Sequence, residues 1–580
     1  LDYAFSPAQT GIRGGPFANQ VGFGFASFML GEVASASQHV PSDLYGRRNY
    51  QALFWQDDYR VHEKLTLNFG LRWETTGGWR EKHDRWGNFN TSKINPITGA
   101  TGVLEYADDV DGSFEGTRDF KEFGPRIGAA FRVTDRLVIR GAYGLLYAPV
   151  GVNYWNGVPY GFAPGFFGTN TVTPTADGFA AFNWDATSYP GVPAPAVKDP
   201  ASTQWGLVSI NPDSLEAGRI QQWNAGVERE LTSDISIGAA YVGNRATRLG
   251  SGDFERNQPN PGDMRRLLLA GTEWNWVSDP ASAAAAGVQY PYPGFAGTAW
   301  MAITPWPQAA AGWGPLFFVG SPLGQSDYHA LQLTATKRGV SGLSAIASYT
   351  LARQRGNMDS AFQERWWSGP IQDVTKLDQE AGTIAAGDRT HIAKGFVSWM
   401  LPFGTGRRFL SDTSAVTRAL VGGWTLSAIV RYESGLPLAI RSSNSYGGWS
   451  YPIYGNVNGG VPLEGSFDAD HFNPANPLDA ANNYFNPKAF SNPLYGELGT
   501  GPARLTTLRG FGGAYEDLGI IKDIRSGRYT VQVRFELFNI FNRRYFADPE
   551  TNLGSPSFGQ VTSVGSQPPR QGQLGLRLQW

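Results

Sequence analysis

Apolar and polar residues alternate with a period of two in six separate stretches of this chain, and that pattern limits the fold more than any other feature. Leu65, Leu67, Phe69, Leu71 and Trp73 share one face, while Thr66, Asn68, Gly70, Arg72 and Glu74 share the other. The stretches 137–147, 235–241, 343–351, 424–432 and 529–537 read the same way. Each follows another candidate strand after a turn, and five of the turns are short: 61–64, 134–136, 232–234, 339–342 and 526–527. A longer turn, 402–423, carries Gly404, Gly406 and Gly422. After every second strand comes a long stretch rich in Gly, Pro and aromatics, at 75–122, 148–220, 245–327, 354–390, 435–514 and 543–570.

Short connections at one end and long ones at the other are the asymmetry of outer-membrane barrels. A soluble sandwich has no reason to sort its connections over six hairpins. Loops this long are uncommon in compact domains and usually carry function. The expected fold is all-β, an antiparallel transmembrane β-barrel with about thirteen strands in this chain. Short turns are expected to face the periplasm, and long loops the exterior. A mean hydropathy of −0.30 does not oppose this, because only alternate strand residues meet lipid. No run of 18 apolar residues is present, so a membrane-crossing helix is not expected. The net charge of −2 gives no basic field for nucleic acid, and the absence of Cys excludes disulfides and thiolate metal sites.

Trp73, Tyr147, Tyr241, Tyr349 and Tyr432 fall at the loop-side ends of strands on the apolar face, as an interfacial aromatic girdle requires. The plainer alternative is that aromatics simply favour strands. The last eight residues alternate again: Leu574, Leu576, Leu578 and Trp580 face one way, Gln573, Gly575, Arg577 and Gln579 the other. Gln573, Gly575, Leu578 and Trp580 resemble the terminal signal that the barrel-assembly machinery recognises in outer-membrane proteins.

Motifs from residue 50 onward resemble the barrel of Oar-like TonB-dependent receptors, a family expanded in Acidobacteria and myxobacteria. They include Phe54-Trp55-Gln56-Asp57-Asp58-Tyr59-Arg60, Phe123-Gly124-Pro125-Arg126-Ile127-Gly128 and Gln221-Gln222-Trp223-Asn224. Tyr328-His329-Ala330-Leu331, Leu401-Pro402-Phe403-Gly404-Thr405-Gly406-Arg407-Arg408 and Phe535-Glu536-Leu537-Phe538-Asn539 follow in family order. The resemblance implies a 22-stranded barrel, a plug domain in its lumen and uptake energised by the inner-membrane TonB complex. Thirteen strands match the last thirteen of 22. Residues 1–49 are expected to be a loop or strand remnant and 50–580 the C-terminal part of the barrel, with plug and first strands outside this sequence. Expected partners are outer-membrane lipid, the assembly machinery, the TonB complex if the N-terminal part exists, and an unknown bulky solute: an oligosaccharide, a peptide or a metal chelate.

Other candidate sites are weaker. Asp57, Asp58, Arg60, Arg72 and Glu74, with Arg126, Arg140, Arg431, Glu433, Arg534 and Glu536, are expected on the polar face as cross-strand pairs or as a ladder gripping a plug or solute. Of His39, His62, His83, His329, His391 and His471, none has metal-ligand spacing. Asp108, Asp109 and Asp111, and separately Asp468 and Asp470, suit loop Ca²⁺ by charge but not by the full twelve-residue spacing, so no cofactor is expected. Gly404 to Arg408 lacks the Lys-Ser/Thr of a phosphate loop and reads as a turn. Trp79, Trp155, Trp274, Trp276, Trp366, Trp367 and Trp449 are candidates for contacting a ligand, or for packing the loops together. No catalytic constellation is read. The function expected is receptor-mediated transport. The alternative is a surface scaffold or adhesin, and a soluble β-rich hydrolase is the remote third.

Overall fold

In a computed structural model of the chain, the alternating stretches and their neighbours form thirteen strands of one antiparallel sheet. The structure describes residues 2–12, 17, 21–40, 45–47, 49–77, 80–85, 87–107, 120–148, 168–174, 180–184, 199–201, 203, 207–209, 217–249, 253–314, 316–319, 321–339, 342–357, 371–376, 383–449 and 451–580. The strands are β1 (Tyr50–His62), β2 (Leu65–Thr76), β3 (Glu122–Thr134), β4 (Leu137–Ala148), β5 (Gly218–Thr232), β6 (Ile235–Leu249) and β7 (Gly324–Lys337). They continue with β8 (Leu343–Gly356), β9 (His391–Met400), β10 (Trp424–Glu433), β11 (Gly513–Ser526), β12 (Tyr529–Phe538) and β13 (Gln571–Gln579). Each pairs with the strand before and after it in the chain, so the sheet is an uninterrupted meander with β1 and β13 as its edges. The strands run from 9 to 15 residues, long enough for each to cross a bilayer core, which takes about 9–11 tilted residues.

The register keeps the two faces chemically apart. One row of directly opposed residues reads Leu65, Phe131, Ile139, Val227, Ala239, Leu333, Tyr349, Ala393, Tyr432 and Ala514 from β2 to β11. The adjacent row reads Thr66, Ala130, Arg140, Gly226, Ala240, Gln332, Thr350, Ile392, Glu433 and Gly513. A one-residue slip in any strand would carry charges such as Arg140 onto the apolar face. The row also climbs: Leu65 starts β2 at the short-turn end, whereas Tyr432 lies near the loop end of β10. That stagger is the strand tilt a barrel wall needs.

The short turns are tight, and Gly527 takes φ +56 to close β11 onto β12. The long connections are not plain loops. Among the described residues between β6 and β7 lie four helices, α1 (Pro261–Ala270), α2 (Pro280–Ala286), α3 (Ala299–Ala302) and α4 (Pro307–Ala311). Another helix, α5 (Ala415–Val421), sits in the long turn between β9 and β10. Local chemistry starts and stops α1 and α2: Asn260 and Asp279 cap their N-termini, Pro261 and Pro280 follow, and Gly271 and Gly287 end them at φ +67 and +76. Five connections then share one core. Phe89, Leu104 and Tyr106 meet Leu207, then Ala309, Leu316 and Phe318, then Ile371 and Val374, and finally Tyr451. Met264 and Leu268 of α1 meet Tyr446 and Ile453 in a second core. A third joins Leu438, Phe485 and Phe490 to Leu553 and Phe558 of the last connection. All six long connections are thereby bound into one cap. Residues of the first 49 join it too: Ser35–Val40 pairs with Gly168–Val172, and Gly46–Arg47 with Arg80–Glu81.

Candidate functional site

Three surfaces can meet a partner: the apolar face of the sheet, its polar face and the cap. On the apolar face, Trp73, Tyr147 and Tyr432 lie toward the loop ends of their strands, whereas Tyr241 and Tyr349 stand mid-strand, against the expectation, because β6 and β8 run on past them to Leu249 and Gly356; all five have a polar partner. Trp73 Nε1 donates to the Phe120 carbonyl at 2.8 Å, and Tyr147 Oη to that of Phe123 at 3.3 Å. Tyr241 Oη lies 2.7 Å from His329 Nδ1, and Tyr349 Oη 2.7 Å from His391 Nδ1, with the rings stacked in both pairs. Tyr432 stands opposite Ala514, and its hydroxyl hydrogen-bonds the carboxylate of the diagonal neighbour Glu516. An aromatic with an apolar body and a satisfied polar edge suits the boundary between lipid and water. The two histidines were missed from sequence spacing, because each meets its Tyr only as a diagonal neighbour once the strands are in register: Tyr241 faces Leu331, and Tyr349 faces Ala393.

The terminal strand is placed by β12. Leu578 faces Val531, Gly575 faces Arg534, and Gln573 donates to Glu536. Leu574, Leu576 and Trp580 are exposed on the apolar side.

The polar face carries charges that pair across short distances. Arg72 meets Glu74 at 3.0 Å, and both bond Tyr50 Oη. Asn68 donates to Asp58 at 2.6 Å, Arg140 reaches Glu228 at 3.6 Å, and Arg389 and Arg431 both reach Glu433. One expected member is misplaced: Asp57 faces Phe69, on the apolar side, because adjacent strand residues point opposite ways. A groove of about 340 Å³ opens on the polar side between Arg140, Asn224, Glu228, Gln332 and Thr334.

In the cap, Trp274 and Trp276 are exposed, and Trp274 meets Trp300 edge-on at 6.4 Å. Trp449 is half-buried; its Nε1 donates to the Gln372 carbonyl at 2.9 Å, and it meets Tyr446 edge-on. Arg441, Asn444, Tyr446, Trp449 and Tyr451 line a cavity of about 360 Å³, within the range of small-molecule sites. Trp79, Trp155, Trp366 and Trp367 lie outside the described residues, as do Asp108, Asp109 and Asp111. Among the described residues no three His, Asp or Glu gather as a metal site. Asp468 instead accepts from the backbone of Asp470 and from His471, whose ring nitrogen is 2.7 Å away; this hydrogen bond holds the carboxyl low and the imidazole up.

Residues 2–573 match the family described as "Outer membrane beta barrel domain". No curated protein matches the chain. Among solved structures, the chain is similar to the ferric yersiniabactin uptake receptor FyuA from Yersinia pestis, with 11% identity and a TM-score of 0.38, over 94% of this chain and 47% of that one. It is also similar to the siderophore receptor PiuA from Acinetobacter baumannii, with 10% identity and a TM-score of 0.37, over 92% of this chain and 43% of that one. The chain thus spans less than half the length of these receptors.

Proposed function

The chain belongs to the outer membrane β-barrel domain family, and from that premise we propose that it forms the C-terminal wall of an outer-membrane receptor that takes up a bulky solute. Short turns face the periplasm, and the cap faces outside. The observation that carries this is the cap itself: six long connections at one end of the wall share cores, while five short turns close the other end. A wall with open edges at β1 and β13 leaves ladder groups unpaired, which a bilayer does not tolerate, so further strands close it in the working protein. The Oar-like motifs favour TonB coupling and a plug. The five girdle aromatics anchor the wall, and Gln573, Gly575, Leu578 and Trp580 direct its assembly. Solute contacts are assigned to the cap aromatics Trp274, Trp276 and Trp449 and to the cavity beside Arg441. The solute is an oligosaccharide, a peptide or a metal chelate.

The fixed cap also supports a second reading, a surface scaffold or adhesin. Uptake of labelled solutes of these three classes into cells carrying or lacking the gene separates the two. Transport predicts gene-dependent accumulation that an uncoupler abolishes. Surface binding with no accumulation, energised or not, would establish the scaffold instead.

A further inference from the structure

The turn between β9 and β10 is the exception among the short-turn connections. It spans residues 401–423 and folds around α5. Ser414 caps α5, accepting from Thr417 N at 3.2 Å. At its other end, Lys522 Nζ donates to the carbonyls of Ala419, Leu420 and Gly422, and its charge lies 4.9 Å from the centre of the Trp424 ring. Trp424 Nε1 donates to Leu420 O at 2.8 Å. Trp424 and Lys522 face each other across β10 and β11, in the same set of side chains as Leu426 and Ile520. They are therefore on the apolar face. The helix is moored to that side of the wall, not to the polar side.

The exposure of α5 is the reverse of what water selects. Val416 is 70% exposed and Leu420 68%, and at spacing i, i+4 they form one outward stripe. Phe409 and Leu410, earlier in the turn, are also exposed. Arg407 and Arg408, both exposed, precede them with Asp412 as the one acidic residue of the turn, and the Arg408 guanidinium lies over the Phe409 ring at 5.3 Å; Arg418 is half-buried on the other side of α5 and donates to the Thr413 carbonyl. An apolar stripe with a cationic margin, continuous with a lipid-facing wall, matches one surroundings: acyl chains with phosphate headgroups beside them.

We propose that residues 401–423 form an interfacial foot, which inserts Val416 and Leu420 into the bilayer leaflet at the short-turn end and holds anionic phospholipid phosphates with Arg407 and Arg408. This rests on the membrane placement of the wall proposed above. The chain has no Cys, so one introduced Cys gives one label site within it, and any Cys elsewhere in the intact protein is replaced by Ser. Val416→Cys, Leu420→Cys, Leu574→Cys and Arg528→Cys in the intact protein are each labelled with a fluorophore. They are reconstituted in phosphatidylcholine vesicles with or without phosphatidylglycerol, and quenched by nitroxide-bearing lipid. Labels at 416 and 420 should be quenched at a shallow depth, 574 deeply, and 528, in an ordinary turn, hardly at all. Phosphatidylglycerol should deepen the quenching at 416 and 420, and Arg407→Gln with Arg408→Gln should remove that dependence. Quenching at 574 but not at 416 or 420 would overturn the foot while leaving the wall intact, and would give the stripe to a soluble partner. No quenching at 574 would overturn the wall itself. Quenching at 416 and 420 that ignores phosphatidylglycerol would overturn the role given to the arginines.

Discussion

Arg509 and Asp388 tie two connections of the cap together. Arg509 Nη2 lies 2.6 Å from Asp388 Oδ2, and Nη1 donates to the carbonyls of Asp388 and Gly435. The Asp388 side chain is only 1% exposed and also accepts from Gln354 N at 2.6 Å. Arg509→Ala would leave a buried carboxylate without its cation, a loss of about 3–5 kcal/mol. Arg509→Ala with Asp388→Asn should recover part of it, and thermal unfolding of the two variants checks this. Nearby, a Cβ on Gly435 would lie 1.8 Å from Gly510 O, so Gly435→Ala should cost about 1–3 kcal/mol through overpacking. At this scale the sequence was uneven as a guide. The alternation placed Leu65 to Trp73 correctly, yet Asp57 was grouped with Asp58 although neighbours on a strand cannot share a face. His329 and His391 were invisible as partners until the register aligned them with Tyr241 and Tyr349.

Among the elements, β13 and the first connection give separate tests. Leu574 and Gln573 are adjacent on β13 but face opposite sides. Leu574→Arg should cost about 2–4 kcal/mol if that residue lies at mid-membrane, whereas Gln579→Arg, on the polar side with Gln573, should be close to neutral; the fraction that migrates as the folded band on an unheated detergent gel reads both. Trp580→Ala should lower the amount reaching that band in cells. In the first connection, burial pushes the Glu81 carboxyl up, but the backbone N–H groups of Arg85, Tyr45 and His83 outweigh it and hold it below its ordinary 4.5. A carboxyl lowered by folding contributes stability above pH 4.5, and that contribution is lost as pH falls through the depressed value. Hydrogen-exchange protection around residues 80–94, taken relative to the unfolded chain at the same pH, should therefore fall in acid, and Glu81→Gln should show lower protection already at neutral pH. The strands were legible because period two survives any neighbour. The helices were not, because Asn260-Pro261 with Gly271 and Asp279-Pro280 with Gly287 are brief local signals inside stretches whose composition reads as loop.

For the whole molecule, the division into a tilted wall with short turns at one end and long connections at the other was already present in the spacing of strands and turns. That the long connections share cores was not, because Phe89, Phe318, Val374 and Tyr451 come together only after the strands bring their loops to one end. In the proposed placement one face of this wall meets lipid and the other does not. Single Cys substitutions at each position from Leu65 to Trp73, reacted with a membrane-impermeant maleimide in isolated outer membranes, test it most directly. Positions 66, 68, 70 and 72 should react while 65, 67, 69, 71 and 73 stay protected. Equal reactivity along β2, or reactivity that falls steadily with no alternation, would contradict it.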